Sequence, residues 1–193
     1  QTTVEQIGAS LAMYYDGLSL ADIARQLETT YNNPVNPSTV YRWLTKFSEA
    51  AITLMEPHHP KVSDTWVADE TAIKFNDTLY WIWDIIDYQT RFLLATYLSV
   101  HRGTNEARTL MERAANRAGK APKRIVTDKL KGYLDGIELT FGADTKHIQS
   151  SPFDVDSDNN VIERMQGTIK DRTKVIRGFK TVPTAELILG GFL

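Results

Sequence analysis

Three acidic residues stand where a metal-dependent enzyme would need them. Asp69 lies in a predicted strand, Asp128 ends a second short strand, and Glu163 lies on a predicted helix. Two strand carboxylates approached by a third from a helix can hold two divalent cations. Such cations activate a water or a 3′-hydroxyl on one side of a phosphodiester and stabilise the leaving oxygen on the other. Without a cation, converging carboxylates repel one another, which raises their pKa values.

The spacing of these acids is weak evidence by itself. Thirty-four residues separate Asp128 from Glu163, and the chain has 24 acidic residues among 193, so chance pairs at this separation are expected. Glu70 follows Asp69, but adjacent strand residues face opposite ways, so we expect only one of the two to enter a site. Asp84 and Asp87 are expected in solvent or in a turn. His147 has two open interpretations, a place near the site or a structural role.

The segment 158–180 is predicted to form an amphipathic helix that carries Glu163. Lys170 follows Glu163 by seven residues, which is not a salt-bridge spacing but can place an acid on a metal and a cation on a nearby phosphate. Arg172 and Lys174 are further candidate contacts to DNA. The alternative is a surface helix with mixed, solvated charges.

The N-terminal residues 1–53 are predicted to form a helix-turn-helix domain. Its helices are expected over 3–15, 20–27 and 38–50, with Ser19 and Ser38 as caps. The alternative is a three-helix bundle that binds nothing. The third helix carries small polar and basic residues that can contact DNA bases, namely Ser38, Thr39, Tyr41, Arg42 and Lys46.

The remaining sequence predicts a mixed α/β domain. Residues 54–64, with two prolines, are expected to be a linker to a second domain over 65–193 that is truncated at its C-terminus. Three strands should form a meander, followed by a helix over about 104–118 capped by Thr104 and a fourth strand. A helix or turn through Leu134, a fifth strand and the helix over 158–180 complete the order βββαβαβα. The predicted strands span 65–73, 79–87, 92–100, 124–128 and 146–149.

Composition excludes several classes of protein. The chain is 42% hydrophobic and 24% charged, and it has no cysteine, so disulfides and cysteine-ligated zinc are excluded. No apolar run approaches the ~20 residues of a membrane span, so we expect no membrane partner. The net charge of −2 argues mildly against a protein that coats nucleic acid. Its distribution matters more, because residues 120–131 and 160–181 are locally basic.

Several short motifs occur in an ordered set. They are Trp66-Val-Ala-Asp-Glu-Thr71, Ile125-Val-Thr-Asp128, Asn159-Asn-Val-Ile-Glu-Arg164 with Lys170, and Arg177-Gly-Phe179. In these motifs the sequence resembles DDE transposases of the prokaryotic insertion-sequence-six group, over about residues 65–180. The resemblance implies an RNase H-like integrase core, with Asp69, Asp128 and Glu163 as ligands of two Mg²⁺ or Mn²⁺ ions. It also implies that Lys170 contacts the substrate DNA near the cut.

The leading hypothesis is therefore a transposase that cleaves the ends of an insertion sequence and transfers the strands to target DNA. Water would free a 3′-hydroxyl, which then attacks the target. Its partners would be the terminal inverted repeats and the target DNA, and we expect a homodimer or larger assembly, because two ends must meet. The alternatives are a domesticated, non-catalytic DNA-binding protein and a non-specific RNase H-type nuclease. We expect the carboxylates of Asp69, Asp128 and Glu163 to lie about 4–8 Å apart.

Overall fold

A computed structural model describes residues 2–55, 57–75, 77–149, 167 and 181–191. They divide into two compact units, which are described separately: the N-terminal helices with the last described helix, and the sheet with its two helices. Among these residues, no helix is both long and apolar enough to cross a membrane. The elements in chain order are α1 (Val4–Asp16), α2 (Leu20–Tyr31), α3 (Pro37–Met55), β1 (Thr65–Phe75), β2 (Thr78–Asp87), β3 (Leu93–Ser99), α4 (Thr104–Ala118), β4 (Arg124–Thr127), α5 (Lys131–Phe141), a 3₁₀ turn (Gly142–Asp144), β5 (Lys146–Gln149) and α6 (Val182–Gly190).

The first unit begins with three capped helices. The Ser19 side chain accepts a hydrogen bond from the Asp22 backbone N–H and caps α2, as the sequence predicts. The predicted cap of α3 was wrong by two residues, since Asn36 Oδ1 accepts from the Ser38 N–H at 2.9 Å. Both α2 and α3 also extend beyond their predicted C-terminal ends. The apolar faces of the three helices supply the buried side chains Tyr14, Ile23, Leu27, Val40 and Leu44.

The last described helix, α6, belongs to the same unit as α1–α3. The Tyr15 hydroxyl lies 2.8 Å from Ser48 Oγ and donates to the Ile188 carbonyl at 3.5 Å. Gly190 approaches α3 so closely that a Cβ there would lie 2.9 Å from Ile52 Cδ1. The domain boundaries at 53, 64 and 65 stay a prediction.

The second unit is built on a five-stranded mixed sheet in the order β3-β2-β1-β4-β5. The meander β1-β2-β3 is antiparallel, whereas β1 pairs with β4, and β4 with β5, in parallel. Parallel neighbours need crossover connections, and α4 and α5 lie in those connections. The predicted mixed sheet of a three-strand meander and two further strands is confirmed.

One face of the sheet packs against α4 and α5. Trp66, Trp83 and Tyr133 are fully buried there, and the rings of Trp83 and Tyr133 meet edge to face with centroids 5.5 Å apart. The two helices approach closely because α5 carries glycines where it faces α4. A Cβ on Gly136 would lie 2.8 Å from Ala107 Cβ, and one on Gly132 would lie 2.9 Å from the Gly103 carbonyl carbon.

Two helix ends in this unit differ from prediction. The residue at the N-cap of α4 is Gly103, without a side-chain cap, and Thr104 is the first helical residue. The helix predicted to reach Leu134 is α5, which continues to Phe141 because its apolar residues extend the buried face. The predicted helix over 158–180 lies outside the described residues.

Candidate active site

Asp69 and Asp128 are brought together by the parallel pairing of β1 and β4. Val67 is opposite Val126 in that register, so two residues further along, Asp69 falls opposite Asp128. Asp69 is an interior residue of the long strand β1, and Asp128 directly follows the short strand β4. One carboxylate oxygen from each of Asp69, Glu70 and Asp128 lies within 4.8 Å of the other two. The Asp69–Asp128 separation therefore lies below the upper limit of the predicted range.

The backbone that follows β4 fixes the orientation of Asp128. Its Oδ1 accepts a hydrogen bond from the Leu130 N–H at 2.9 Å, and its side chain is 31% exposed. The Thr127 hydroxyl donates to the Asp128 carbonyl oxygen at 2.8 Å and lies 2.8 Å from His147 Nε2 on β5. Burial lowers the pKa of His147. His147 therefore supports the backbone beside Asp128 through Thr127, a structural contact.

The expectation that only one of Asp69 and Glu70 enters the site was wrong. The β1–β2 register is continuous here, with Asp69 opposite Asp84 and Glu70 opposite Trp83. The side chains of Asp69 and Glu70 therefore leave β1 on opposite faces of the sheet. The longer Glu70 side chain nevertheless places its carboxylate near both aspartates. That side chain is 1% exposed, and burial raises the pKa of Glu70, with a further contribution from the charge of Asp128.

Arg102, in the loop between β3 and α4, supplies a positive charge to this cluster. Its Nε donates to Glu70 Oε1 at 2.8 Å, its Nη2 donates to the same oxygen, and Nη2 also lies 4.0 Å from Asp128 Oδ2. The guanidinium is 4.4 Å from the centroid of the Trp81 ring, within the range of a cation–π contact. Arg102 therefore donates hydrogen bonds to one of the three clustered carboxylates and lies at ion-pair distance from a second.

The charges of this cluster contribute to the raised pKa values of two further buried groups, Asp84 and Tyr133. Asp84 is fully buried, and burial with the nearby charge of Asp69 raises its pKa to about 7. Asp87 is buried as well, where it accepts hydrogen bonds from Ser63 and Thr90, so the expected exposure of both aspartates was wrong. Burial and the charges of the clustered carboxylates raise the pKa of Tyr133 well above its usual value.

The polar face of α3 has the predicted arrangement in large part. Ser38, Arg42 and Lys46 are exposed at a spacing of four residues, which places them on one side of the helix. Thr39 and Tyr41 are half-buried. Val40 and Leu44 pack inward, whereas Phe47 is half-buried. The role of this face in DNA binding stays a prediction.

Four predicted site residues lie outside the described part of the chain. They are the third acid of the predicted triad and three basic residues that follow it in the sequence, namely Glu163, Lys170, Arg172 and Lys174.

A family model described as a DDE domain, of the IS240 transposase type, matches residues 63–193. The chain belongs to this family of DDE transposases. The match includes β1 with Asp69, β4, and Asp128, so the clustered aspartates lie inside the matched domain.

Transposases of Staphylococcus aureus are similar to this chain. The transposase for insertion sequence-like element IS431mec is 30% identical over 112 residues, which cover 58% of this chain and 49% of that protein. The transposase for insertion sequence element IS257 in transposon Tn4003 matches with the same identity and coverage. The chain thus spans about half the length of these relatives.

Solved structures of retroviral integrase cores share the fold. The HTLV-2 integrase catalytic core in complex with magnesium, in its trimeric form, has a TM-score of 0.54 at 18% identity and covers 68% of this chain and 84% of its own. The dimeric form has a TM-score of 0.53 at 19% identity, over 70% of this chain and 86% of its own. At these identities the likeness supports the RNase H-like architecture of this DDE domain.

The sequence-based search missed Arg102 in this DDE domain. The sequence marks Arg102 only by its position, since it lies in the short connection between the third predicted strand and the helix that follows it. Strand alternation alone predicts that Glu70 stays outside the site. That rule fixes the face from which a side chain departs, but it does not limit where a long side chain ends.

Proposed function

We propose that this chain is the DNA-end-binding and catalytic part of a transposase that cleaves the ends of an insertion sequence and joins them to target DNA. Asp69, Asp128 and Glu163 would hold two divalent cations in this scheme. The observation that carries the proposal is the convergence of Asp69 and Asp128 at neighbouring parallel strands inside a DDE domain.

The donor chemistry of the described residues fits Mg²⁺ or Mn²⁺. Hard divalent cations take oxygen ligands, and carboxylate oxygens from two strands lie within 4.8 Å of one another. Asp128 is partly exposed, so a cation and a phosphate can reach it from solvent. Bound cations would supply activation of the attacking oxygen and stabilisation of the leaving one.

Residues around Asp128 would orient the DNA. Lys129 and Lys131 are exposed on either side of Leu130, directly after the proposed ligand, and attract backbone phosphates. The exposed stripe of Ser38, Arg42 and Lys46 on α3 would bind the terminal repeat. Lys170, Arg172 and Lys174 are proposed to add contacts near the cleaved bond.

Asp128→Asn tests the enzyme hypothesis, because it keeps the size of the side chain and removes the charge that would bind a cation. Cleavage and strand transfer of labelled element ends in Mg²⁺ by the intact protein should fall by orders of magnitude. End binding should be unchanged or slightly tighter, since a negative charge near phosphate is removed.

Asp144→Asn is the matched control, because this exposed aspartate precedes β5 at the end of the strand opposite to the site. It should retain wild-type activity. Joined product at the wild-type level from Asp128→Asn would reject the proposed catalysis. Intact end binding with no product from any version would favour a non-catalytic DNA-binding protein.

A further inference from the structure

Glu70 and Arg102 form an ion pair directly beside the proposed metal ligands. Glu70 directly follows Asp69 in β1, and its buried carboxylate receives two hydrogen bonds from Arg102 on the single oxygen Oε1. The same guanidinium lies 4.0 Å from Asp128 Oδ2. Arg102 therefore joins the residue next to one proposed ligand to the side chain of the other.

The fold around Arg102 limits its freedom from three sides. Trp81 lies under the guanidinium at 4.4 Å. Ser99 accepts a hydrogen bond from Trp83 Nε1 at 2.9 Å and donates to the carbonyl of His101 at 2.6 Å, which ties the preceding residue to the sheet. Gly132, near the start of α5, packs against the backbone of Gly103. These contacts hold the Arg102 loop next to the turn that carries Asp128.

The two oxygens of Asp128 then have separate neighbours. Oδ1 accepts from the Leu130 N–H at 2.9 Å, and Oδ2 faces the Arg102 guanidinium at 4.0 Å. One hydrogen bond at Oδ1 and one ion-pair contact at Oδ2 restrict the rotamers of Asp128, and a ligand that is already oriented loses less entropy when it binds a cation. Arg102 donates its closest hydrogen bonds to Glu70. Its distance from Asp128 Oδ2 is too long for a hydrogen bond.

We propose that Arg102, anchored by the buried Glu70, is a positioning residue that orients Asp128 toward Asp69 for metal binding. Glu70 is assigned as the anchor, because its Oε1 accepts both hydrogen bonds from Arg102. This role rests on the proposed metal site. Groups that orient a ligand from behind typically change metal affinity by about 10–100-fold when they are replaced.

Arg102→Lys tests this role because it keeps the charge that compensates buried Glu70 but removes the planar fork that spans two carboxylates. Mn²⁺ affinity, measured from the EPR signal of free Mn²⁺ during titration, should fall about tenfold or more. Arg113→Lys is the matched control, since Arg113 also lies over a strand aromatic, 4.6 Å from the Tyr97 centroid, and donates to a carbonyl. Its Mn²⁺ affinity should equal that of the wild type.

The double variant Glu70→Gln with Arg102→Met separates positioning from charge compensation. It removes the buried charge of Glu70 together with the charge of its partner Arg102, so the thermal midpoint in EDTA should stay near the wild-type value, whereas Mn²⁺ affinity should again fall about tenfold. Wild-type affinity, within about twofold, in either Arg102 variant would overturn the positioning role. Absence of Mn²⁺ binding by the wild type, or wild-type binding by Asp128→Asn, would instead overturn the proposed metal site on which this role rests.

Discussion

Replacing Asp84 by Asn should stabilise the fold, and the gain should grow with pH. Asp84 is fully buried on β2, directly opposite Asp69 in the antiparallel register. Burial and the Asp69 charge raise its pKa from 3.8 to about 7, although the Thr96 hydroxyl partly offsets the effect. The folded protein therefore keeps Asp84 protonated at pH values where the unfolded chain has already lost this proton.

The sign and size of the effect follow from that difference. An acid whose pKa is raised by folding destabilises the fold as pH rises from its unfolded pKa to its folded pKa. The step from 3.8 to about 7, at about 1.4 kcal/mol per factor of ten, amounts to about 4 kcal/mol above neutral pH. About 3 kcal/mol of this develops between about pH 5 and pH 8. Asn cannot ionise, so the unfolding free energy of the Asp84→Asn variant does not fall with pH for this reason.

Urea unfolding of both proteins at about pH 5 and about pH 8, in EDTA, measures the effect. The variant should exceed the wild type in unfolding free energy by about 3 kcal/mol more at the higher pH. Asp144→Asn, on an exposed aspartate, is the control and should show no such pH-dependent gain. An equal Asp84→Asn difference at the two pH values would refute the reasoning that Asp84 is neutral in the fold.

The remaining predictions concern DNA binding and packing. Arg42→Ala should weaken binding to the terminal repeat by about 1–3 kcal/mol in a gel-shift titration if Arg42 reads a base, and a smaller loss is expected on a scrambled duplex. Equal affinity for the repeat would reject this role. Gly136→Ala should destabilise the fold by about 1–3 kcal/mol in urea, because its Cβ would lie 2.8 Å from Ala107 Cβ. Gly8→Ala, where a Cβ meets nothing within 4 Å, is its control and should be neutral or stabilising.

The sheet was predictable because its strands carry strong local signals. The aromatic and β-branched runs in β1, β2 and β3 fix the meander to within two residues at each end. Helix ends were less predictable, since caps depend on which of several neighbouring polar side chains reaches a free N–H. Asn36 rather than Ser38 does so at α3, and an uncapped Gly103 precedes α4.

Of the site residues, the sequence predicts only those that lie in recognisable local motifs. Asp69 and Asp128 stand in recognisable motifs, and the parallel register brings them together. Arg102 has no such motif, because its place depends on the packing of Gly132 in the first turn of α5 against Gly103 at the N-cap of α4, 29 residues earlier in the chain. Asp84 carries no sequence signal of burial either, since an acid in a strand is normally assigned to the exposed face.

Charge balance links the missed residues to the predicted ones. Three carboxylates within 4.8 Å repel one another, which is why the sequence argues for a cation among them. Arg102 provides one positive charge from within the fold, but it is placed on Glu70, the most buried of the three. The other two acids of the cluster, Asp69 and Asp128, lie within β1 and directly after β4. The ion pair of Glu70 with Arg102 thus compensates the acid that solvent reaches least, and under the proposed function a divalent cation would bind at the two aspartates.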